Sequence, residues 1–464
     1  MKKGLLFILL LGTCLGTPRA QSVSQRIDSL LTDPLLSTSE VGISVYDLTE
    51  GKSLYRHQAE KLYRPASTQK VITSVTALAQ LGSDYTLNTR LQSTGILMND
   101  TLKGNLYVVG DFDPELMEAD LDSLAEAVGQ RGIRHIADTL AIDVSMMDSV
   151  YWGPGWSWDD APYAFQPYLS PLMLNRGCVD ITVSPTRKDS LPQVSLIPEG
   201  GYCRVDNRAV CHSPEAGKLI VTRDRTTDAD CILVRGNADR TVTRSLSIRS
   251  SQAFFLHTFL DRLRRKGITV GQTAVAVCPD TADTTFVCRR PLLQVLKRAL
   301  KKSDNLCAEA MFFHLAKQHG KSCHLGFEDG QTAVNEWMKD SLGCDPDSYR
   351  IADGSGVSLY NYVSPQLLLK YLKYAYARPE IFQPLYESLP IAGVDGTLQH
   401  RMKKTAAHRK VRAKTGSVSG ISSLAGYARA ANGHLLAFVI INQNVLRLRE
   451  ARAFQDKVCE AMVR

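Results

Sequence analysis

Strand hairpins lie near both ends of this chain, separated by a long stretch of different texture, and that arrangement limits the folds open to it. Val41-Gly-Ile-Ser-Val-Tyr-Asp-Leu48 has strand alternation, Thr49-Glu-Gly-Lys52 makes a turn, and Ser53 to His57 reads as the return strand. Near the other end, Lys410 to Gly416, Ile421 to Ala428 and His434 to Ile441 read as strands. Asn432-Gly433 joins the last two, the dipeptide a tight hairpin turn favours. The two hairpins can share one antiparallel sheet, which makes a single split domain of the segments flanking the middle. Single cores stop growing near roughly 250–300 residues, and 464 residues leave room for more than one domain.

Helical patterns accompany both hairpins. A helix beginning near Ser67 carries apolar residues at Val71, Ile72, Val75, Leu78 and Leu81, with Gly82 suited to its C-terminal cap. Helices return at Leu292 to Lys302 and Leu306 to Lys317, and a last one spans Leu446 to Val463. From about Leu87 to Cys288 the chain reads as short strands and turns with little strong helix, such as Gly104 to Asp111 and Val179 to Val183. That region is expected to form one or two mainly β insert domains. The aromatic loop Trp152 to Asp160 fits a packed core or a domain seam better than a sugar platform.

Lys2 and Lys3 ahead of the apolar run Leu5 to Leu11 have the form of a secretory signal, with cleavage expected after Ala20. Leu11-Gly-Thr-Cys14 resembles a lipoprotein box, although Thr13 stands where a smaller residue is wanted. The mature protein is therefore expected outside the cytoplasmic membrane, in the periplasm, with no transmembrane helix. In such a compartment Cys203/Cys211 and Cys278/Cys288 are candidate pairs, which spacing alone does not establish. The net charge of +8 is scattered, and its Lys/Arg pairs do not merge into a basic stripe, so nucleic acid is not an expected partner. Neither the cysteines nor the ten histidines show metal-ligand spacing, and no metal or other cofactor is expected.

Three patterns carry the chemistry. In Ser67-Thr-Gln-Lys70, residues three apart share a helix face, so the Lys70 amine can reach the Ser67 hydroxyl. A serine is a poor nucleophile until a base takes its proton, and a lysine does so only when neutral; burial and a second cation favour that form. Alone the pattern is weak, because Ser-x-x-Lys arises by chance about 1–2 times in such a chain and also describes a capped helix with a solvated lysine. Ser303-Asp-Asn305 stands between two helices, where Ser303 and Asn305 can relay a proton and bind a peptide, or simply cap a helix. Lys414-Thr415-Gly416 ends a strand. Its cation and hydroxyl can hold a substrate carboxylate, Gly416 lets an extended peptide approach, and the N–H of Ser417 can face an oxyanion.

In this order the three patterns resemble those of penicillin-recognising serine enzymes. Arg64-Pro-Ala-Ser-Thr-Gln-Lys-Val-Ile-Thr73, Gly110-Asp-Phe-Asp-Pro114, Asp353-Gly-Ser-Gly356, Leu389-Pro-Ile-Ala-Gly-Val-Asp-Gly-Thr-Leu398 and Ala413-Lys-Thr-Gly416 narrow the likeness. They resemble the D-alanyl-D-alanine carboxypeptidase/endopeptidase family of low-molecular-mass class C penicillin-binding proteins. The resemblance implies an α+β, penicillin-binding transpeptidase-like (β-lactamase-like) domain of helices on a five-stranded antiparallel sheet. It is split into 21–86 and 289–464 by inserted domains II and III over 87–288. The resemblance further implies Ser67 as acylated nucleophile, Lys70 as base, and Ser303, Asn305 and Lys414 as relay and substrate-binding residues. Thr415, Gly416 and Ser417 would line the cleft. Substrates would be peptidoglycan stem peptides ending in D-Ala-D-Ala, and β-lactams would be inhibitors. One departure is Leu174-Asn-Arg-Gly-Cys178, where the family usually has a further asparagine. The rival readings are a serine β-lactamase and a non-catalytic wall-binding or sensing protein.

Overall fold

Strands from both ends of the chain meet in one antiparallel sheet. In the computed structural model, which describes residues 21–226, 230–320 and 324–464, these strands are β1 (Glu40–Asp47), β2 (Lys52–His57), β3 (Val411–Val418), β4 (Ile421–Arg429) and β5 (Leu435–Gln443). The export and lipidation expectations fall on residues 1–20, outside the described residues. The order across the sheet is β3-β4-β5-β1-β2. The two chain ends join where β1 pairs β5, with Ile43 opposite Ile440 and Val45 opposite Phe438.

β5 is apolar almost throughout because both faces of the sheet are covered. Leu436, Phe438 and Ile440 share a core with Phe454, Val458 and Met462 of the terminal helix Leu448–Val463. The alternate residues Ala437, Val439 and Ile441 belong to a second core with Val71, Ile72 and Val75 of helix α1 (Gln69–Leu81) and Phe312 and Phe313 of helix α2 (Asn305–His319). The period-2 geometry of a strand sends neighbouring side chains into different layers. α1 is buried continuously from Gln69 to Leu78, and Gly82 ends it at φ 80°, where its N–H bonds the Leu78 carbonyl. Phe438→Ala in such a core costs about 3–5 kcal/mol.

The stretch between the halves enters and leaves side by side. Strand Thr86–Ser93 pairs antiparallel with Asp283–Pro291, with Thr86 opposite Pro291, and the Leu292 N–H bonds the Tyr85 carbonyl at 2.9 Å. Because that stretch begins and ends at one place, the chain segments on either side of it stay close together. The residues between these two strands' outer ends build a seven-stranded sheet and smaller sheets of three, three and two strands, with their own core around Leu106, Val108, Leu140, Ile181, Phe254 and Phe255. They also contain two helices that the sequence reading did not place, Glu118–Gln130 and Ser251–Arg265. Among the described residues no helix is long and apolar enough to cross a membrane, and the nine described cysteines, Cys203, Cys211, Cys278 and Cys288 included, are free thiols.

Candidate active site

Ser67 stands in a 3-10 turn, Ala66–Thr68, that runs directly into α1. Ala66 before it has φ 48°, a left-handed conformation a side chain rarely adopts, so the chain turns sharply into the helix at the serine. One helical turn on, the fully buried Lys70 amine lies 3.0 Å from Ser67 Oγ, 2.7 Å from Asn305 Oδ1 and 2.7 Å from the Ser355 carbonyl. The last two oxygens accept N–H bonds. A neutral amine has two N–H bonds to give them, and its lone pair is then left for the Ser67 hydroxyl. Burial drives the Lys70 pKa down to about 8, against the opposing pull of Asp353, Glu309 and Asp304.

The other two sequence patterns arrive from α2 and β3. Ser303 sits between helices Leu292–Lys301 and α2, with φ 58°. Its hydroxyl accepts from Lys414 Nζ at 2.8 Å, and the same amine donates to the Thr415 carbonyl at 2.6 Å. Lys414 is fully buried, and that burial together with the Lys70 charge pushes its pKa well below the ordinary lysine value. The Thr415 hydroxyl donates to Thr397 Oγ1 at 2.8 Å, and Ser417 lines the cleft. Gly416 has a reason nearer than peptide approach. A Cβ there would lie 2.9 Å from Ser67 N, 2.8 Å from the Pro65 carbonyl and 2.1 Å from Ser423 Oγ. The strand runs so close to the serine's own backbone that no side chain fits.

Asp304 and Asn305 divide structural and site duties. The Asp304 carboxylate caps α2 by accepting the Cys307 N–H at 3.1 Å and pairs with Arg298 at 2.8 Å and with Arg176. Burial alone would raise its pKa, but the two guanidiniums hold it below the ordinary carboxylate value. Arg176 belongs to the stretch that departs from the family pattern; Asn175 and Arg176 both have left-handed φ, 48° and 62°. The Asn305 Nδ2 group donates to the Phe165 carbonyl at 2.8 Å and to Gln166 Oε1 at 3.4 Å.

The Asp353-Gly-Ser-Gly356 loop, which sequence left without a task, supplies the Ser355 carbonyl to Lys70. The Asp353 carboxylate builds the loop by accepting the N–H groups of Gly356 at 2.7 Å and Ser358 at 2.8 Å. It also accepts the Trp156 indole N–H at 2.9 Å, so the aromatic loop is a seam: Trp156 is buried edge-on against Trp152 and Phe327. Part of that loop faces the cleft as well. Ser157, Asp159, Asp160 and Phe165 line a cavity of about 410 Å³ with Ser67, Ser303, Asn305 and Ser417. These cleft residues were missed because nothing in a turn-rich aromatic run says which side chains face outward. The buried His314 bonds Tyr85 OH at 2.8 Å and the Asp111 carbonyl at 2.7 Å, which occupies both ring nitrogens. It is no third member of a serine–histidine triad.

A helix-covered five-stranded antiparallel sheet with this serine–lysine turn at its edge has the penicillin-binding transpeptidase-like fold. Over residues 23–463 the chain matches the D-Ala-D-Ala carboxypeptidase 3 (S13) family, and it belongs to that family. The D-alanyl-D-alanine carboxypeptidase of Actinomadura sp. (strain R39) is 31% identical over 443 residues, spanning 91% of this chain and 81% of the relative. The D-alanyl-D-alanine carboxypeptidase DacB of Haemophilus influenzae is 29% identical over 419 residues, 88% of this chain and 86% of that one. The crystal structure of penicillin binding protein 4 from Haemophilus influenzae matches with a TM-score of 0.82 at 26% identity, covering 93% of this chain and 97% of that chain. Its complex with a β-lactam matches with a TM-score of 0.75 at 25% identity, covering 93% and 98%.

Proposed function

We propose that the protein is an exported serine D-Ala-D-Ala carboxypeptidase, working through a Ser67 acyl-enzyme on peptidoglycan stem peptides and acylated by β-lactams. The observation that carries this reading is the buried Lys70 amine 3.0 Å from Ser67 Oγ, with both its N–H acceptors supplied. Lys70 takes the hydroxyl proton as Ser67 attacks the carbonyl of the penultimate D-alanine. The backbone N–H groups of Ser67 and Ser417 stabilise the oxyanion that develops. The proton taken by Lys70 passes through Ser303, which is hydrogen-bonded to Lys414, to the departing amine, so Lys70 is neutral again as terminal D-alanine leaves. Water then opens the ester and restores Ser67.

Asn305 steadies Lys70, while Lys414 and Thr415 hold the free carboxylate of the substrate, and Gly416 keeps β3 against the serine. When a cross-linked peptide lies in the cleft, the same steps cut the cross-link, an endopeptidase activity. Residues 21–86 and 289–464 form the split catalytic domain in this reading, and 87–288 the inserted domains. The site of action is the periplasm, after loss of residues 1–20. Labelled penicillin should attach to wild-type protein and not to Ser67→Ala, and a D-Ala-D-Ala peptide should release D-alanine. Attachment to Ser67→Ala, or none to wild type, refutes the assignment.

A further inference from the structure

Glu309 is the one acid of α2 that is fully buried beside the site, and no step of the proposed chemistry uses it. It stands one turn after Asn305, on the helix face that looks at the Asp353–Gly356 loop. Its two carboxylate oxygens are both occupied by that loop's backbone: Oε2 accepts the Gly354 N–H at 3.0 Å and Oε1 the Ser355 N–H at 2.9 Å. From the opposite side the Thr73 hydroxyl of α1 donates to the Gly354 carbonyl at 2.7 Å. The peptide that follows turns the Ser355 carbonyl onto Lys70 at 2.7 Å. The clamp therefore ends on the amine.

We propose that Glu309 is a positioning residue for the Ser67–Lys70 pair: its carboxylate fixes the loop carbonyl that orients the amine, and its negative charge opposes loss of the Lys70 proton. The proposal rests on the reading of Lys70 as the base. Two bonds to consecutive N–H groups fix the loop's direction as a single bond would not, because a peptide held at one point can rotate about it. The charge acts because the region is dry. Burial and the neighbouring Asp353 charge push the Glu309 pKa up, while the two N–H bonds and Lys70 pull it down; both of its oxygens accept N–H groups, as those of an ionised carboxylate do. Around the pair the titratable groups are Asp353 from the loop, Asp304 at the cap of α2, Cys307 of α2, and Lys414 from β3, whose charge faces Lys70. A carboxylate kept ionised here favours the ammonium form of Lys70, whereas a neutral group of the same shape favours the free amine. Either way Glu309 touches no substrate atom.

The test is the second-order rate of acylation by a fluorescent penicillin against pH, on the full chain, for wild type and Glu309→Gln. The amide keeps the length, loses the charge, and can accept only one of the two N–H groups. The acid limb of the profile should lie about one pH unit lower in Glu309→Gln, and the plateau rate should fall about tenfold. Glu309→Asp, which keeps the charge, should leave the limb where wild type has it while the plateau falls. A uniform loss at every pH in Glu309→Gln, with no displacement of the limb, overturns the proposal in favour of a purely architectural role, and so does an unchanged profile. If Glu309→Gln does not fold, a wild-type plateau rate in Glu309→Asp overturns the clamp. Wild-type protein that never acylates sinks the Ser67 reading itself, whereas wild-type acylation with an unmoved limb sinks only the role of Glu309.

Discussion

The side-chain amide of Asn305 donates to the backbone carbonyl of Phe165 at 2.8 Å, and this bond decides which end of the amide faces Lys70. With nitrogen turned to Phe165, the oxygen is left to accept from the Lys70 amine at 2.7 Å. A residue from the stretch between Thr86 and Pro291 thus sets the polarity of the site although it contributes no side-chain chemistry there. Asn305→Ala should orphan the Phe165 carbonyl and free Lys70 to rotate away from Ser67. We expect penicillin acylation to fall roughly 100-fold, with the circular dichroism spectrum unchanged. Asn305→Asp should fall as far, because a carboxylate cannot donate to Phe165 and its charge would hold Lys70 protonated.

The pH dependence follows from the amine. Burial holds the Lys70 pKa at about 8, well under an ordinary lysine, and in the proposed chemistry the acting form is the neutral one. Acylation should therefore rise with pH up to a plateau, with half the maximal rate near pH 8, and be lost as the pH falls below that value. Lys70→Ala should remove the limb along with almost all the rate, while the melting temperature stays close to that of wild type. A rate that is flat through this region in wild type would show that Lys70 does not titrate in the step being measured.

Lys414 is expected to act on the ligand's charge. Its buried amine is held by Ser303 and the Thr415 carbonyl, and a ligand carboxylate beside it would favour its ammonium form. A charge-assisted hydrogen bond contributes about 1.5–3 kcal/mol, and Lys414→Met should slow acylation by benzylpenicillin roughly 10–100-fold. Its methyl ester, which has no carboxylate to hold, should already be slow with wild type and change little in the variant. Comparing the two rate ratios separates carboxylate binding from general damage to the cleft.

The sequence named the residues that the fold gathers around Ser67 and left their supports hidden, and the reason is physical. In the proposed chemistry Ser67, Lys70, Ser303, Asn305 and Lys414 act through side-chain type at short spacing, which survives in a linear string. Ser355 and Phe165 act through backbone carbonyls, which every residue has, so nothing in their identity announces the role. Arg176 and Glu309 work across long separations along the chain, and only the fold brings their charges to Asp304 and to Gly354. The sheet was legible because alternation marks Val41 to Leu48 and the Asn432-Gly433 turn joins the last two strands. Helix Glu118–Gln130 was missed although Leu121, Leu124, Ala125 and Val128 lie on one buried face. Its four apolar positions are separated by acids and small residues, and strand-like runs on either side dominated the texture.

Gly416 provides a steric test. The closest heavy atoms to a Cβ at this position include the backbone of Pro65 and Ser67, which cannot rotate out of the way as a side chain could. Gly416→Ala should push β3 off the serine turn, costing about 1–3 kcal/mol of stability, and should abolish most acylation. Thermal unfolding and penicillin labelling on the same preparation check both parts. An alanine variant as active and as stable as wild type would mean that the strand and the serine turn separate easily.

Arg176 offers a test that links the departure from the family pattern to stability. Asp304 is almost fully buried and answers to two guanidiniums, Arg176 and Arg298. Removing one leaves the carboxylate still paired, so Arg176→Ala should cost about 1–3 kcal/mol, less than loss of a sole partner would. The pH dependence has a definite sign. The folded Asp304 carboxyl is held below its unfolded value, so the contribution is complete above the unfolded value of roughly pH 4. It is lost as the pH falls through the folded value. Denaturant unfolding of wild type and Arg176→Ala should thus differ at neutral pH and converge in acid, as protonation of Asp304 removes the partner that Arg176 was placed to meet. Because Asp304 also caps the helix that begins with Asn305, acylation should weaken in the same variant at neutral pH. A variant that loses stability equally at neutral and acid pH would assign the loss to packing of the Arg176 stem instead.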